Sequence, residues 1–295
     1  MDFTIVTPSL GQLEHLECCI ASVADQEGVS IEHIVQDGGT ANFKGFAEKM
    51  KLRWPDRPNY RRVMISEPDT GMYDAINKGL KKGNGRICAY LNCDEQYLVE
   101  ALAKVMDEFK KQSAIDILYG GFLVVDEKGE LVTAQRPVKM FWQHVATSHL
   151  PNFTCATFFT RGMMERENAY FDVQYRACAD AVWTIERLKR GTKMGMMADF
   201  IGVFVEQETN QGVKKEGLAE ADAIRCRLAP SVRSRAFIWR VVHRLRKLLE
   251  GKYFPKKVRY DIFRKGDLGK RRHFPASWVS PFWGSRLRMG KERGG

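Results

Sequence analysis

Ser66-Glu67-Pro68-Asp69-Thr70-Gly71-Met72-Tyr73-Asp74-Ala75-Ile76-Asn77-Lys78-Gly79 is the stretch on which the reading of this chain turns. Its first half gathers two acids, a proline, a glycine and a tyrosine into a turn. Its second half opens a short helix that carries Asn77 and Lys78 and stops at Gly79 or Gly83. Asp69 and Asp74 stand at the helix start, where the macrodipole favours negative charge. A structural turn alone does not call for so many polar groups at fixed spacing. A nucleotide site does, because a ribose, a base edge and a diphosphate must be held at once.

Upstream, Phe3 to Val6 forms a short strand that stops at Thr7-Pro8-Ser9, and the apolar spacing over residues 12–25 predicts a helix. Ile31 to Gln36 is a second strand, ended by Asp37-Gly38-Gly39. A helix over 43–52 and a strand over Arg62–Ser66 lead into the quoted turn. Downstream, Ile87 to Leu91 is a nearly all-apolar strand, followed by a helix over 98–111. A strand over Ile115–Tyr119 comes next. Gly120-Gly121 and the turn Asp126-Glu127-Lys128-Gly129 suggest a hairpin-like excursion. Further strands are expected over Phe153–Phe159 and Ile201–Val205, with a helix over Asp180–Arg190 ended by Gly191. Apolar strands alternating with helices argue a parallel sheet covered on both faces.

The Ser66–Gly79 stretch resembles the S-E-x-D-x-G-x-Y-D-A-x-N-K-G signature of family 2 glycosyltransferases of the GT-A fold. The resemblance is strongest from Thr7 to Asp94. It implies an α/β, GT-A-like fold with a mostly parallel central sheet flanked by helices over residues 1–215, followed by a basic helical extension over 216–295. It also implies inverting transfer of one sugar from a nucleotide-sugar donor, more often a UDP-sugar, to a hydroxyl of a glycan or lipid-linked acceptor. The chain is similar to non-processive bacterial enzymes of cell-surface polysaccharide biosynthesis, because the Q-x-x-R-W motif of processive synthases is missing. In the resembling family the nucleotide-sugar pocket is lined by positions matching Thr7, Pro8, Ser9, Asp37, Gly38, Glu67, Asp69, Gly71, Tyr73, Asp74, Asn77, Lys78, Asn92 and Cys93. The aspartate matching Asp37 accepts from the base ring N–H. Taken alone, Thr7-Pro8-Ser9 reads equally as a strand terminator with a cap, and Asp37-Gly38-Gly39 as a tight turn. Phe153 to Phe158 lacks the His and Gln of the family's H-Q-x-x-F strand, so it carries no acceptor role.

Asn92-Cys93-Asp94-Glu95 follows the fourth strand. Residues i and i+2 of an extended segment point the same way, so Asn92 and Asp94 can face one cation. The position is that of the family's D-x-D motif, with Asn in the first slot. It implies Mn²⁺ or Mg²⁺ held by Asp94 against a sugar-nucleotide diphosphate. A second carboxylate is absent there unless Glu95 contributes. A polar loop after a buried strand is the plain alternative. The resemblance also makes Asp180 the general base, with Asp172 as fallback. From spacing alone Asp180 reads as a helix cap. Gln207, Asn210, Gln211, Lys214 and Lys215 form a polar loop that either closes over the diphosphate or is simply solvated.

The chain has 295 residues, 44% hydrophobic and 28% charged, enough to bury a large core. Its seven cysteines have neither zinc nor disulfide-framework spacing and read as reduced thiols. No basic n-region and apolar h-region precede Phe3, and no apolar run approaches the roughly 20 residues needed to span a bilayer. A cytoplasmic location is expected. The net charge of +11 is uneven: from Ser231 onward there are 19 Lys and Arg against 4 Asp and Glu. Over residues 232–249, Phe237, Ile238, Val241, Val242, Leu245, Leu248 and Leu249 fall on one helical arc, with Arg233, Arg240, Arg244, Arg246 and Lys247 outside it. This is the pattern of a helix lying on an anionic membrane surface, or of a helix packed on the domain. Arg271-Arg272-His273-Phe274, Trp278, Phe282-Trp283 and Arg286 mix aromatics with cations, which suits a lipid headgroup zone. They would also suit RNA stacking, but no nucleic-acid motif accompanies them and no nucleic-acid partner is expected. The alternative functions are a decayed glycosyltransferase-like nucleotide-binding protein, on the strength of Asn92, and a basic nucleic-acid binder, on the tail alone.

Overall fold

The computed structural model describes residues 1–207, 215–228 and 230–283. In chain order the elements run β1 (Phe3–Ser9), α1 (Leu13–Ala24), β2 (Ile31–Asp37), α2 (Phe43–Arg53), β3 (Tyr60–Ser66), α3 (Met72–Lys82) and β4 (Ile87–Tyr90). The short β5 (Gln96–Tyr97), α4 (Ala101–Lys111), β6 (Ile117–Val125), β7 (Leu131–Gln135), α5 (Trp142–Thr147), β8 (Thr157–Thr160) and α6 (Arg161–Arg166) follow. The chain continues through α7 (Ala179–Arg190), β9 (Met194–Val205), α8 (Lys215–Cys226), α9 (Pro230–Arg233) and α10 (Ala236–Leu249). The described elements close with β10 (Lys256–Arg264) and β11 (Asp267–Val279).

The main sheet has the order β3-β2-β1-β4-β8-β6-β9-β5, with β7 paired to β6. β1 is parallel to β2 on one side and to β4 on the other, so the winding reverses at β1. Ligands of open α/β sheets gather at the carboxyl ends of strands beside such a reversal. Those ends are level here: Ser9 pairs with Asp37 and Asp37 with Ser66. All seven residues of β1 and of β2 are buried, as two-sided parallel strands require. Phe3 and Ile5 join a core with α1 and α4, while Val6 joins a second core with α3 and α7.

Helix α3 lies on β1 with no side chain between them at Gly79, where a Cβ would stand 2.4 Å from Val6 Cγ1. At Gly85, just after the helix, a Cβ would meet the Phe3 carbonyl carbon at 2.2 Å. The glycines of this region therefore set the depth of α3 on the sheet. Gly79 does not stop the helix: α3 runs on through it to Lys82, and Gly83 is the terminating residue.

Beyond β4 the sheet is mixed, with β8 antiparallel to β4 and β6, and β9 parallel to β6. Gly120-Gly121 do not leave the sheet. β6 runs straight through them with register shifts against β9, and the hairpin comes later, at 126–130. The expected strand over 153–159 opens instead as a 3₁₀ turn, Thr154–Ala156, in which the Thr157 hydroxyl donates to the Phe153 carbonyl at 2.7 Å.

The basic extension is helical only in part. After α10, β10 and β11 pair as an antiparallel hairpin with Val258, Tyr260 and Ile262 turned inward. These residues pack with Leu123, Val125, Val203 and Val205 of the main sheet. Gln96 trades two hydrogen bonds with the Phe263 backbone, at 2.9 and 3.0 Å. Arg271, 8% exposed, makes a two-bond pair with Asp25 at 2.6 and 2.7 Å and also donates to the Tyr97 carbonyl. Charge density conceals the period-two alternation that builds this hairpin. Removing one partner of an enclosed ion pair strands the other. Arg271→Ala is therefore expected to lower unfolding stability by about 3 kcal/mol in urea titration. The exposed neighbour Lys270→Ala should leave the midpoint unchanged.

Candidate active site

Four chain reversals meet at the level edge of β1, β2, β3 and β4. The first holds Thr7, Pro8 and Ser9. Thr7 is turned into the core, with its hydroxyl 2.9 Å from His33 Nε2, whereas Ser9 Oγ is buried without a partner. In the second, Asp37 Oδ2 accepts from the Gly39 N–H at 2.9 Å, the Thr40 N–H at 2.7 Å and the Ser66 hydroxyl at 2.7 Å. Its other oxygen takes the Thr40 hydroxyl at 2.5 Å. An ionised carboxylate has about two acceptor sites on each oxygen, so Oδ2 of Asp37 is filled by protein donors while Oδ1, with one, keeps room for a further donor. In this structure Asp37 ties the β2 turn to the end of β3. Gly38 leaves room for Asp69, whose Oδ2 would lie 2.7 Å from a Cβ there.

The signature turn is braced from within. Asp69 accepts from the Gly71 N–H at 2.8 Å, and Asp74 from the Thr70 N–H at 2.9 Å. Gly71 has φ +134°, a conformation that suits glycine. Lys78 bonds the Pro68 carbonyl at 2.8 Å and pairs with Asp74 at 3.2 Å. Glu67 pairs with Lys82 at 2.9 Å, which holds its carboxyl below the usual range. Asn77 is buried and clamps the Phe171 backbone through both ends of its amide, at 2.7 and 2.9 Å. Arg176, which no sequence motif singles out, donates to the Thr70 carbonyl.

At the fourth reversal Asn92 and Glu95 close a turn, with Glu95 accepting the Asn92 N–H at 2.9 Å. Glu95 is buried under that turn. Burial, and then the Asp94 charge, push its carboxyl up to about 8. Asp94 is half-buried, and burial raises it to about 6. Asn92 Oδ1 is buried with no hydrogen-bond partner, and Gln207 Nε2 reaches Asp94 Oδ2 at 3.4 Å. A raised carboxylate beside an orphaned amide oxygen is a donor set that fits a hard divalent cation. Cys93 points away, its thiol 3.6 Å from Gln12 Oε1.

Across the crevice, α7 begins at Ala179, so Asp180 is inside its first turn. Glu220 of α8 braces the approach to α7, accepting the N–H groups of Arg176, Ala177 and Cys178 at 2.6, 2.9 and 3.1 Å. Those donors would otherwise be orphaned near the helix end. Asp180 Oδ1 accepts from the Ala181 N–H at 2.8 Å and from the Tyr73 hydroxyl at 3.2 Å. Tyr73 belongs to the signature helix, so the two sides of the crevice meet at this bond. Asp180 also borders a cavity of about 20 Å³, room for one water, with Tyr90, Thr154, Phe171 and Trp183. Asp172 is exposed and accepts within its own turn, from the Gln174 N–H at 3.0 Å. Asn210, Gln211 and Lys214 lie outside the described residues, and Lys215 opens α8.

The sequence profile described as Glycosyl transferase family 2 matches residues 4–220. A PGL/p-HBAD biosynthesis glycosyltransferase of Mycobacterium bovis is 27% identical over 125 residues, 41% of this chain and 47% of that protein. The chain thus spans about half the length of the curated relatives it matches first. An uncharacterized glycosyltransferase of Rickettsia conorii is 27% identical over 135 residues, 45% of this chain and 22% of that protein. Among solved structures, S. aureus TarS 1-349 in complex with UDP-GlcNAc superposes with TM-score 0.56 at 12% identity, covering 93% of this chain and 99% of that one. The mannosyltransferase PcManGT from Pyrobaculum calidifontis, in complex with GDP-Man and Mn²⁺, gives TM-score 0.56 at 15% identity, covering 83% and 70%. These likenesses carry the fold, and the profile carries the family: the chain has the GT-A fold and belongs to glycosyl transferase family 2.

Proposed function

We propose that this chain transfers a single sugar from a nucleotide-sugar donor to an acceptor hydroxyl, with inversion, and that Asp180 is its general base. The observation that carries the reading is the Tyr73–Asp180 bond, which brings a carboxylate from the far wall to the signature helix. Asp180 Oδ1 is held by the Ala181 N–H and the Tyr73 hydroxyl, which orients the carboxylate to take a proton from the acceptor. The donor's nucleotide lies along the turns at Ser9, Gly38, Asp69 and Gly71. UDP is the preferred nucleotide, and the acceptor is a glycan or lipid-linked hydroxyl of a cell-surface polysaccharide.

Asp94, with the Asn92 amide oxygen beside it, would hold Mn²⁺ or Mg²⁺. When bound, the ion supplies positive charge against the departing diphosphate. The chain's own residues orient the donor and take the acceptor proton. Neutral Asn92 in the first metal slot also fits a protein that binds donor without transfer, and turnover measurements separate the two.

The chain is further proposed to work at the cytoplasmic face of an anionic membrane. No helix among the described residues is long and apolar enough to cross one. On α10, however, the apolar arc faces solvent: Phe237 is 70% exposed and Leu249 86%, with Ile238, Leu245 and Leu248 between. Arg233, Arg240 and Arg244 are exposed around it. The face turned to the domain carries Trp239, His243 and Arg246, with the Arg246 guanidinium 4.3 Å from the Phe141 ring centre.

Three outcomes test this. Asp94→Ala should abolish metal-dependent donor binding in calorimetry. An acid whose value rises on folding loses stability for the free protein as pH climbs from the ordinary carboxylate range through about 6. A cation reverses that loss but needs the deprotonated carboxylate. Mn²⁺ should therefore raise Tm at pH 7.5 and cease to do so below pH 6; the same rise in Asp94→Ala would move the metal site elsewhere.

Asp180→Asn should cut turnover by about 10² to 10⁴ with donor Kd unchanged. Retained turnover with a lowered Tm would reduce Asp180 to a structural residue. Finally, the full chain should sediment with anionic vesicles at low salt and be released at high salt, each basic residue near the surface contributing about 1 kcal/mol. Leu248→Ser with Leu249→Ser should stay in the supernatant. Truncation before α10 is unsuited to this test, because the hairpin that follows belongs to the core.

A further inference from the structure

Three histidines from separate parts of the chain converge under α10. His144 lies in α5, His149 just beyond its end, and His243 on the domain-facing side of α10. A ring nitrogen from each lies within 4.8 Å of the other two. His144 is 1% exposed and His243 5%, while His149 opens to solvent. The His144 and His243 rings stack with centres 3.9 Å apart, and His149 stands nearly perpendicular to both, at 4.9 and 5.7 Å. Neither ring nitrogen of His144 has a hydrogen bond of full geometry, although the Trp239 backbone lies close enough to favour its charged form.

This is costly as simple packing. A buried imidazole without hydrogen bonds loses its hydration with no replacement. Three imidazole nitrogens within 4.8 Å of one another with one side open are, by contrast, an ordinary donor set for a tetrahedral transition metal, once the stacked His144 and His243 rings turn so that their in-plane lone pairs meet, with the fourth position left to a water or an anion. The neutral imidazole nitrogen is the form that ligates. The cations of α10 near the cluster, Arg240, Arg244, Arg246 and Lys247, weigh against Mg²⁺ or Ca²⁺, which depend on anionic oxygen ligands. They weigh less against an ion with strong bonds to neutral nitrogen.

We propose that His144, His149 and His243 form a zinc-type transition-metal site that staples α10 to the segment following β7. The site is separate from the crevice and does not depend on the reaction assigned to it. By tying His243 down, the ion fixes which side of α10 meets the domain, and so keeps the apolar arc outward. It also anchors the chain just ahead of Asn152 and Thr154, which line the small cavity beside Asp180.

The test uses the untagged full chain, stripped with a chelator and titrated with Zn²⁺ against a chromogenic competitor. One equivalent should bind, and Zn²⁺ should raise Tm. His149→Ala, which alters an exposed position, and His243→Ala should each weaken this equivalent at least about tenfold and abolish the Tm rise. Asp94→Ala and Cys226→Ser should leave it unchanged, which separates it from the crevice and from the exposed thiol. Should His243→Ala fail to fold, His149→Ala decides alone. Full zinc affinity in His149→Ala, or loss of the equivalent in Asp94→Ala or Cys226→Ser, overturns the proposal, as does a wild-type chain that holds no zinc.

Discussion

Helix α3 rests on β1 at a distance that a single methyl group would forbid. A Cβ at Gly79 would overlap Val6 by about 1 Å against ordinary contact, so the helix could no longer lie where it does. Its depth fixes the height of Gly71 and Tyr73 above the level ends of β1, β2 and β3. It also fixes the reach of the Asn77 amide to the Phe171 backbone, and thereby the start of the far wall. Catalytic geometry is sensitive to shifts of this size, since about 1 Å of misplacement can cost two orders of magnitude in rate. The contact that sets the site is thus an apolar one, on the opposite side of the helix from the polar groups.

Three aspartates of the crevice illustrate how surroundings assign roles to one side-chain type. Asp37 meets four protein donors and becomes a brace for two turns. Asp94 meets mainly burial, which leaves its charged form short of stabilisation and receptive to a cation. Asp180 meets one backbone N–H, that of Ala181, and the Tyr73 hydroxyl, both on Oδ1. The same chemistry, placed by hydrogen-bond supply, separates the brace Asp37 from the proposed metal ligand and the proposed proton acceptor.

Much of the chain up to β4 is legible in the sequence because local chemistry and global fold agree there. The parallel strands β1 and β2 each carry an apolar run that marks them, although β2 also buries Glu32, His33 and Gln36, and the turns carry Pro8, Gly38 and Gly71 where the chain must bend. What stays hidden depends on tertiary partners. Nothing local distinguishes Asp180 from an N-cap; the difference is that α7 starts at Ala179, with Cys178 in the cap position and Glu220 bracing the segment before it. Gln207 stands out as polar, but its place beside Asp94 is a matter of how β9 ends. The arc on α10 is visible as amphipathic, yet periodicity cannot say which side a helix presents to its own domain. Here Trp239 and His243 face inward and the apolar arc faces out. In the hairpin, alternating Val258, Tyr260 and Ile262 are masked by Arg259 and Asp261 between them and by Lys256, Lys257 and Arg264 on either side.

The hairpin also bears on how the molecule is made. Its inward residues cover Leu123, Val125, Val203 and Val205, which leave the ribosome long before residues 256–279 do. Throughout that interval the nascent sheet carries a bare apolar flank that the last strands alone will close. Uncovered surface of this kind invites association with other chains or with chaperones. Synthesis halted between β9 and β10 would therefore yield a sticky intermediate rather than a smaller folded domain, a difference that apolar-dye binding to stalled chains would reveal.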